Sequence, residues 1–211
     1  ENTGRAEEEN TAASDVGGET GGEEGSTDDN AEASAAAYGI EDLKGAPDIT
    51  ADSAILMDAA SGAVLYGKDE NSKQYPASIT KVMTALLAIE NCSMDDIVTF
   101  SNEAVNGIEP GSSSAGINVG AQLTVRDTLY ALMLVSANEA AAALAEHISG
   151  SDEAFADLMN QRAAELGCTG THFTNPHGLP DEDHYTTAHD MALILQQAMK
   201  YQDFRTIAEA E

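Results

Sequence analysis

The sequence predicts an α+β domain that follows a long acidic tail. Two short apolar runs, Ala54–Met57 and Ala63–Tyr66, flank turn residues at 58–62 and are typical of a strand hairpin. Apolar residues then recur at helical spacing through most of residues 78–200. The first 44 residues carry almost no large apolar side chain. We therefore expect strands at the start of the folded part and helices in its middle.

Residues 1–44 form the expected tail. They hold 13 acidic side chains against Arg5 and Lys44. Such a composition buries too little apolar surface to offset the entropy lost on ordering, so we predict a disordered linker. Residues 45–211 are long enough for one core and still carry 24 acidic and 7 basic side chains. The formal net charge of −28 argues against nucleic acid as a partner.

Helix boundaries are indicated by capping residues. Thr124 with Asp127, and Thr187 with Asp190, have the spacing of a capping box, and Gly167 is a typical residue just after a helix. Together with the apolar pattern, these signals predict five helices, near residues 78–90, 124–135, 138–149, 152–166 and 187–200.

A nucleophile with its base is the clearest chemical signal. Ser78 and Lys81 lie three residues apart at the start of a predicted helix, just after Pro76, which suits a first helical turn. Residues at this spacing share one helix face, so the ammonium group can reach the hydroxyl. Unpaired backbone N–H groups of the first turn favour developing negative charge. The arrangement suits acyl transfer, although about 0.4 Ser-x-x-Lys matches are expected by chance in this chain.

Two further polar motifs make the sequence signal more specific than Ser-x-x-Lys alone. The segment Ser136-Ala137-Asn138 lies between two predicted helices, and Asn175-Pro176-His177-Gly178-Leu179 precedes the last one. The competing interpretation is that Ser78 caps its helix, and that Ser136 and Asn138 cap the following Ala-rich helix, with no catalytic part. We expect His177 to fix its loop by hydrogen bonding rather than to act as a catalyst.

From Ala54 to about Tyr201 the chain resembles the serine D-alanyl-D-alanine carboxypeptidases, which are low-molecular-mass penicillin-binding proteins. The matching segments are Pro76-Ala77-Ser78-Ile79-Thr80-Lys81, Pro110-Gly111-Ser112-Ser113, Ser136-Ala137-Asn138-Glu139-Ala140-Ala141, Thr171-His172-Phe173-Thr174-Asn175, His177-Gly178-Leu179 and Thr187-Ala188-His189-Asp190-Met191-Ala192. The family's third motif, Lys-Thr-Gly or Lys-Ser-Gly, does not occur in this sequence. We therefore expect a truncated chain whose missing part carries that motif.

The resemblance implies a β-lactamase/transpeptidase-like α+β fold that is incomplete here. It would comprise the N-terminal hairpin and a helical subdomain, with the last sheet strands beyond Glu211. It also implies a role for each site residue: Ser78 as nucleophile, Lys81 as its base, Ser136 as proton relay and Asn138 as a substrate-binding residue that also holds Lys81. Without the third motif, we expect this chain alone to be nearly inactive.

The same resemblance implies the biological setting. The reaction would be removal of the terminal D-alanine from peptidoglycan pentapeptide stems, with β-lactam antibiotics as covalent inhibitors. The location would be extracytoplasmic, in a secreted protein or one anchored to the membrane through a terminus outside this sequence. No cofactor is expected. A cluster formed by His177, Asp181, Asp183, His184 and His189 invites a metal interpretation, but it follows the metal-free pattern of this family and lacks the His-x-x-x-His helix pair, so we expect no metal site.

Two alternatives and one question stay open. A noncatalytic cell-wall-binding relative could keep the fold without the third motif. A serine β-lactamase shares the first two motifs, but no Glu-x-x-Leu-Asn segment follows Asn138 to supply a deacylating base. Cys92 and Cys168 show no metal-like spacing; an extracytoplasmic location would allow a disulfide, although two free thiols are the favoured interpretation.

Overall fold

The structure is a computed structural model that describes residues 49–210. The predicted linker, residues 1–44, lies outside the described residues, and the domain boundary at residue 45 stays a prediction. In chain order the elements are β1 (Ala54–Met57), β2 (Val64–Lys68), a 3-10 turn (Ala77–Thr80), α1 (Lys81–Asn91), β3 (Ile97–Thr99), α2 (Asn102–Asn106), β4 (Gln122–Thr124), α3 (Val125–Leu134), α4 (Asn138–Ser149), α5 (Asp152–Glu165), α6 (Ala188–Ala198) and α7 (Gln202–Ala208).

The predicted hairpin is confirmed. Strands β1 and β2 pair antiparallel, with Ala54 opposite Lys68, and a register shift follows Leu56. The connecting turn is closed by Asp58, whose carboxylate accepts hydrogen bonds from the N–H and the hydroxyl of Ser61. Short polar side chains that bond their own turn in this way explain why the pattern was readable from the sequence.

A second small sheet was not predicted. Strand β3 pairs antiparallel with β4, so that Ile97 lies opposite Thr124. Each strand has only three residues, and 22 residues separate the ends that meet. Segments this short carry too little alternation to be distinguished from loops. The helices α2 and α7 were not predicted either, because they are also too short to show a clear apolar pattern.

The five longer helices lie where the sequence placed them, and the capping signals explain their ends. Thr124 Oγ1 accepts a hydrogen bond from the Asp127 N–H at 3.0 Å, and Thr187 Oγ1 accepts one from the Asp190 N–H at 3.0 Å. Helix α5 ends just before Gly167, which has a φ of +86°. One correction concerns the first helix, since its predicted start at residue 78 falls in the 3-10 turn, and α1 begins at Lys81.

Helix α4 lies at the centre of the described core. It contacts α1, α2, α3 and α5, and all residues from Asn138 to Ala145 are buried. Its sequence is rich in alanine because neighbours crowd it on several sides, and a methyl side chain lets backbones approach closely. This packing fixes the N-terminal ends of α1 and α4 relative to each other. Those two ends carry the polar residues singled out by the sequence.

Both cysteines are free in the structure. Burial and the nearby Asp190 raise the pKa of the Cys168 thiol to about 12, and burial also raises the pKa of Cys92. Both thiols are therefore protonated near neutral pH, which makes them poor nucleophiles. No helix in the described range is at once long and apolar enough to span a membrane.

Replacing Leu144 by alanine tests the central role of α4. Its side chain is fully buried, so we expect Leu144→Ala to lower the free energy of unfolding by about 2–5 kcal/mol, measured by urea denaturation. Leu195→Ala is the matched control, because Leu195 is 44% exposed and should change stability by less than about 1 kcal/mol. Similar losses in the two variants would contradict the assignment of α4 to the core.

Candidate active site

Ser78 lies in the 3-10 turn that leads into α1. Thr80 occupies the capping position of α1, but no side chain caps the helix there. The interpretation of Ser78 as a simple helix cap is therefore wrong. Its hydroxyl is directed instead toward two other polar side chains, those of Lys81 and Ser136.

Lys81 is the buried centre of this arrangement, with 3% of its surface exposed. Its Nζ donates hydrogen bonds to Asn138 Oδ1 at 2.7 Å and to the His177 carbonyl oxygen at 2.7 Å. A third contact joins Nζ to Ser78 Oγ at 3.3 Å. The ammonium group thus has one acceptor for each of its three N–H donors, and one of those acceptors is the candidate nucleophile.

Burial lowers the pKa of Lys81 from 10.5 to about 8, while the negative charge of Glu139 acts in the opposite direction. Desolvation disfavours the charged form of a lysine, which is the physical cause of this drop. At pH 7 about one tenth of such a lysine is neutral, compared with roughly one in 2,500 at an ordinary lysine pKa near 10.4. The amine is therefore available as a proton acceptor at neutral pH.

Ser136 and Asn138 come from the connection between α3 and α4. Ser136 Oγ donates to Ser78 Oγ at 2.9 Å. The capping position of α4 is Ala137, which has no side-chain cap, so the interpretation of Ser136 and Asn138 as capping residues is also wrong. Ser136 has a φ of +58°, a left-handed conformation that costs a non-glycine residue about 1–3 kcal/mol and is concentrated at functional sites.

Glu139 is a site residue that the sequence analysis missed. Its side chain is 3% exposed, and one carboxylate oxygen accepts hydrogen bonds from Ser114 Oγ and from the Ala115 N–H, both at 2.7 Å. Beside it, the Asn138 N–H donates to the Ser113 carbonyl oxygen at 3.0 Å. The first turn of α4 therefore holds the loop around residues 113–115 against the site. The sequence signal that could have indicated Glu139 is its position as an acidic residue directly after the Ser-x-Asn motif.

The His177-Gly178 segment closes the site from the other side. Gly178 has a φ of +85°, and a Cβ atom there would lie 1.9 Å from the Ala77 carbonyl oxygen. Only glycine permits this contact between the segment and the turn that carries Ser78. Asn175 fixes the bend, since its Oδ1 accepts a hydrogen bond from the Gly178 N–H at 2.7 Å.

Two histidines of that five-residue cluster, His177 and His184, have other partners. His177 Nδ1 accepts a hydrogen bond from the Leu179 N–H at 3.2 Å, in keeping with the predicted loop-fixing role. His184 Nδ1 accepts one from the Thr174 N–H at 3.0 Å, so the proton of the neutral ring is on Nε2, which donates to Thr80 Oγ1 at 2.8 Å. Burial lowers the pKa of each ring to about 4, so both are neutral at pH 7.

A cavity of about 380 Å³ lies beside the reactive groups rather than around them. Tyr75, Ala77, Leu179 and His184 are among its lining residues, and neither Ser78 nor Lys81 is. We therefore place the chemistry at the three hydrogen-bonded groups, and not in this cavity.

The fold matches solved structures of D,D-peptidases. The D-alanyl-D-alanine carboxypeptidase DacD from Francisella tularensis is 36% identical, with a TM-score of 0.72 over 77% of this chain and 40% of that one. Penicillin binding protein 5 from Haemophilus influenzae is 38% identical, with a TM-score of 0.69 over 74% of this chain and 46% of that one. The fold is therefore β-lactamase/transpeptidase-like, as predicted.

Sequence comparison identifies the family. The profile of the D-alanyl-D-alanine carboxypeptidase family matches residues 41–210. The D-alanyl-D-alanine carboxypeptidase DacF of Bacillus subtilis is 41% identical over 157 residues, which are 72% of this chain and 40% of that protein. DacA of Haemophilus influenzae is 40% identical over 70% of this chain and 39% of its own length. The chain belongs to this family, and it spans about 40% of the length of these curated relatives.

Gly178→Ala tests whether the site depends on the close backbone contact. The added Cβ would overlap the Ala77 carbonyl oxygen, so we expect the turn that carries Ser78 to shift. The rate at which a penicillin labels Ser78, measured by intact mass spectrometry, should then fall by at least tenfold. Gly150→Ala is the matched control: its φ is +86°, but a Cβ there meets no atom within 4 Å. The control should lose about 1 kcal/mol of stability and keep its reactivity. Equal reactivity of the two variants would contradict the prediction.

Proposed function

We propose that this chain supplies the nucleophile, base and proton relay of a serine D,D-carboxypeptidase. The substrate is the pentapeptide stem of peptidoglycan, from which the enzyme removes the terminal D-alanine through an acyl-enzyme. One observation carries the proposal: Ser78 Oγ lies 3.3 Å from the buried Lys81 amine and 2.9 Å from Ser136 Oγ. Membership of the D-alanyl-D-alanine carboxypeptidase family supports it independently.

The geometry supports the following acylation step. Ser78 Oγ attacks the carbonyl carbon between the two terminal D-alanines, and its proton passes to the neutral Lys81 Nζ. Backbone N–H groups at the start of the turn and α1 favour the negative charge that develops on the carbonyl oxygen. The C–N bond then breaks as the Ser136 hydroxyl donates its proton to the leaving amine and takes up in turn the proton held by Lys81, which leaves the Lys81 amine neutral again. Asn138 holds the Lys81 amine and offers its amide group to the substrate backbone.

Deacylation uses the same groups, with water in place of Ser78 as the nucleophile. Water attacks the ester carbonyl with Lys81 accepting its proton, the ester C–O bond breaks, and Ser78 recovers its hydroxyl hydrogen. The released product is the stem peptide shortened by one D-alanine. A β-lactam ring presents a reactive amide to the same serine, so penicillins would acylate Ser78 and leave slowly.

The location of the substrate sets the expected location of the protein. Peptidoglycan stems lie outside the cytoplasmic membrane, so we propose an extracytoplasmic protein, secreted or anchored at the bacterial cell wall. The strongly acidic composition is compatible with this setting and with the absence of a nucleic acid partner.

Covalent labelling with a penicillin tests the nucleophile. The full-length gene product should gain one penicillin mass by intact mass spectrometry, and Ser78→Ala should gain none. Ser112→Ala is the matched control, because its hydroxyl bonds only the Glu109 carbonyl oxygen of its own turn and lies outside the reactive set. The control should label normally.

The outcomes of the labelling experiment separate the three candidate functions. A persistent adduct on Ser78, with release of D-alanine from a pentapeptide, supports the carboxypeptidase. Rapid turnover of the penicillin would favour the β-lactamase. A folded protein with no adduct would contradict both enzymes and leave the noncatalytic cell-wall-binding relative.

The rate of this labelling should depend on pH through Lys81. Only the neutral amine accepts the serine proton, and the folded-state pKa is about 8, so the acylation rate should rise from pH 6, reach half its maximum near pH 8 and level off above about pH 9. Glu139→Gln removes a negative charge that raises this pKa, so the rise should move to lower pH. Glu146→Gln is the control, since residue 146 lies about 10 Å further along α4. A flat profile, or equal shifts in the two variants, would contradict the role of Lys81.

A further inference from the structure

Three side chains that commonly bind metals meet at a place remote from the active site. The sulfur of Cys92, a carboxylate oxygen of Asp96 and a ring nitrogen of His147 lie within 4.8 Å of one another. Among residues 49–210 no other group of three such side chains converges in this way. We propose that Cys92, Asp96 and His147 form a zinc-binding site.

The donor atoms select the class of ion. Zinc accepts thiolate sulfur at about 2.3 Å, imidazole nitrogen at about 2.0–2.1 Å and carboxylate oxygen at about 2.0–2.2 Å. Calcium and magnesium prefer oxygen ligands only, so a sulfur and a nitrogen donor argue against them. Three protein ligands leave the fourth tetrahedral position for water or for another small donor.

The spacing requires only a small adjustment. Ligand atoms around a tetrahedral zinc ion lie about 3.3–3.8 Å apart, given the bond lengths above. The three donors, which lie within 4.8 Å of one another, must therefore close by at most about 1.5 Å. Because His147 is exposed, its side chain can rotate toward the ion without disturbing the core.

Two of the three ligands sit on a well-fixed turn. Cys92 ends α1, and its N–H donates to the Ala88 carbonyl oxygen at 3.0 Å. Asp96 Oδ2 accepts a hydrogen bond from the Ser93 N–H at 2.8 Å, which orients the carboxylate and leaves Oδ1 to bind the ion. The Asp96 carbonyl oxygen accepts from the Val125 N–H at 2.9 Å, so the turn is also tied to the start of α3.

Electrostatics at this position favours a cation. Cys92 is the C-terminal cap of α1, and His147 lies in the last turn of α4. The C-terminal end of each helix carries a partial negative charge. Two such ends meet here, beside the carboxylate of Asp96.

The site would join the ends of α1 and α4 that lie opposite the reactive groups. Helix α1 begins at Lys81 and α4 begins at Asn138, and each helix is about 16–18 Å long. A bound ion would therefore brace the two helices that position Lys81 and Asn138, without contacting either of these two residues. This inference does not depend on the proposed enzymatic function.

Cobalt substitution tests the proposal, because Co²⁺ bound to a thiolate gives a charge-transfer band in the near ultraviolet. Titration of the full-length gene product with Co²⁺ should produce this band together with the visible bands of a tetrahedral ion, and Zn²⁺ should abolish both. Cys92→Ser should remove the band, and Asp96→Asn and His147→Ala should each lower the Zn²⁺ affinity by at least tenfold.

Matched controls exclude loose binding by other groups. Cys168→Ser and Asp95→Asn change a cysteine and an aspartate outside the cluster, so both variants should keep the band and the affinity. Added Zn²⁺ should also raise the melting temperature of the unchanged protein, but not that of Cys92→Ser. Cobalt binding without the thiolate band, or a band that survives Cys92→Ser, would overturn the proposal.

Discussion

Burial of the Lys81 ammonium group is the constraint on which the site depends. A lysine that is 3% exposed loses its hydration, and its charged form persists only if protein oxygens replace the lost water. The replacements are the Ser78 hydroxyl, the Asn138 amide oxygen and the His177 carbonyl oxygen. They come from three segments that are distant in the sequence. Satisfying one buried cation therefore holds these segments together, while burial of the same group lowers the pKa of Lys81 to about 8.

The scaffold around this cation combines tight packing with local strain. Helix α4 packs closely against its neighbours through alanines, and its first turn uses Glu139 to hold the loop around residues 113–115. Ala77 and Ser136 adopt left-handed backbone conformations on either side of the Ser78 hydroxyl. Such conformations persist only when the surrounding structure stabilises them, and here the rigid helices supply that stabilisation. Stability of the core and geometry of the site are therefore linked.

Glu139 illustrates how one buried group can serve two opposed demands. Its carboxylate orders a loop beside the site, which favours a charged side chain that accepts several hydrogen bonds. The same charge raises the pKa of Lys81 and so reduces the fraction of neutral base. Desolvation of Lys81 is the larger effect, and the pKa still falls to about 8. The balance between these two effects, rather than the motif itself, sets the strength of the base.

The sequence by itself determined the hairpin, the five longer helices and the pairing of Ser78 with Lys81, because these features rest on interactions within a few residues. Turn residues, capping boxes and a three-residue helical spacing are all local. Only the tertiary structure decided that Ser136 reaches Ser78, that the His177 carbonyl oxygen accepts from Lys81, and that Cys92 meets His147. Those contacts join residues 55 to 96 positions apart, and they depend on how the helices pack, which no local pattern records.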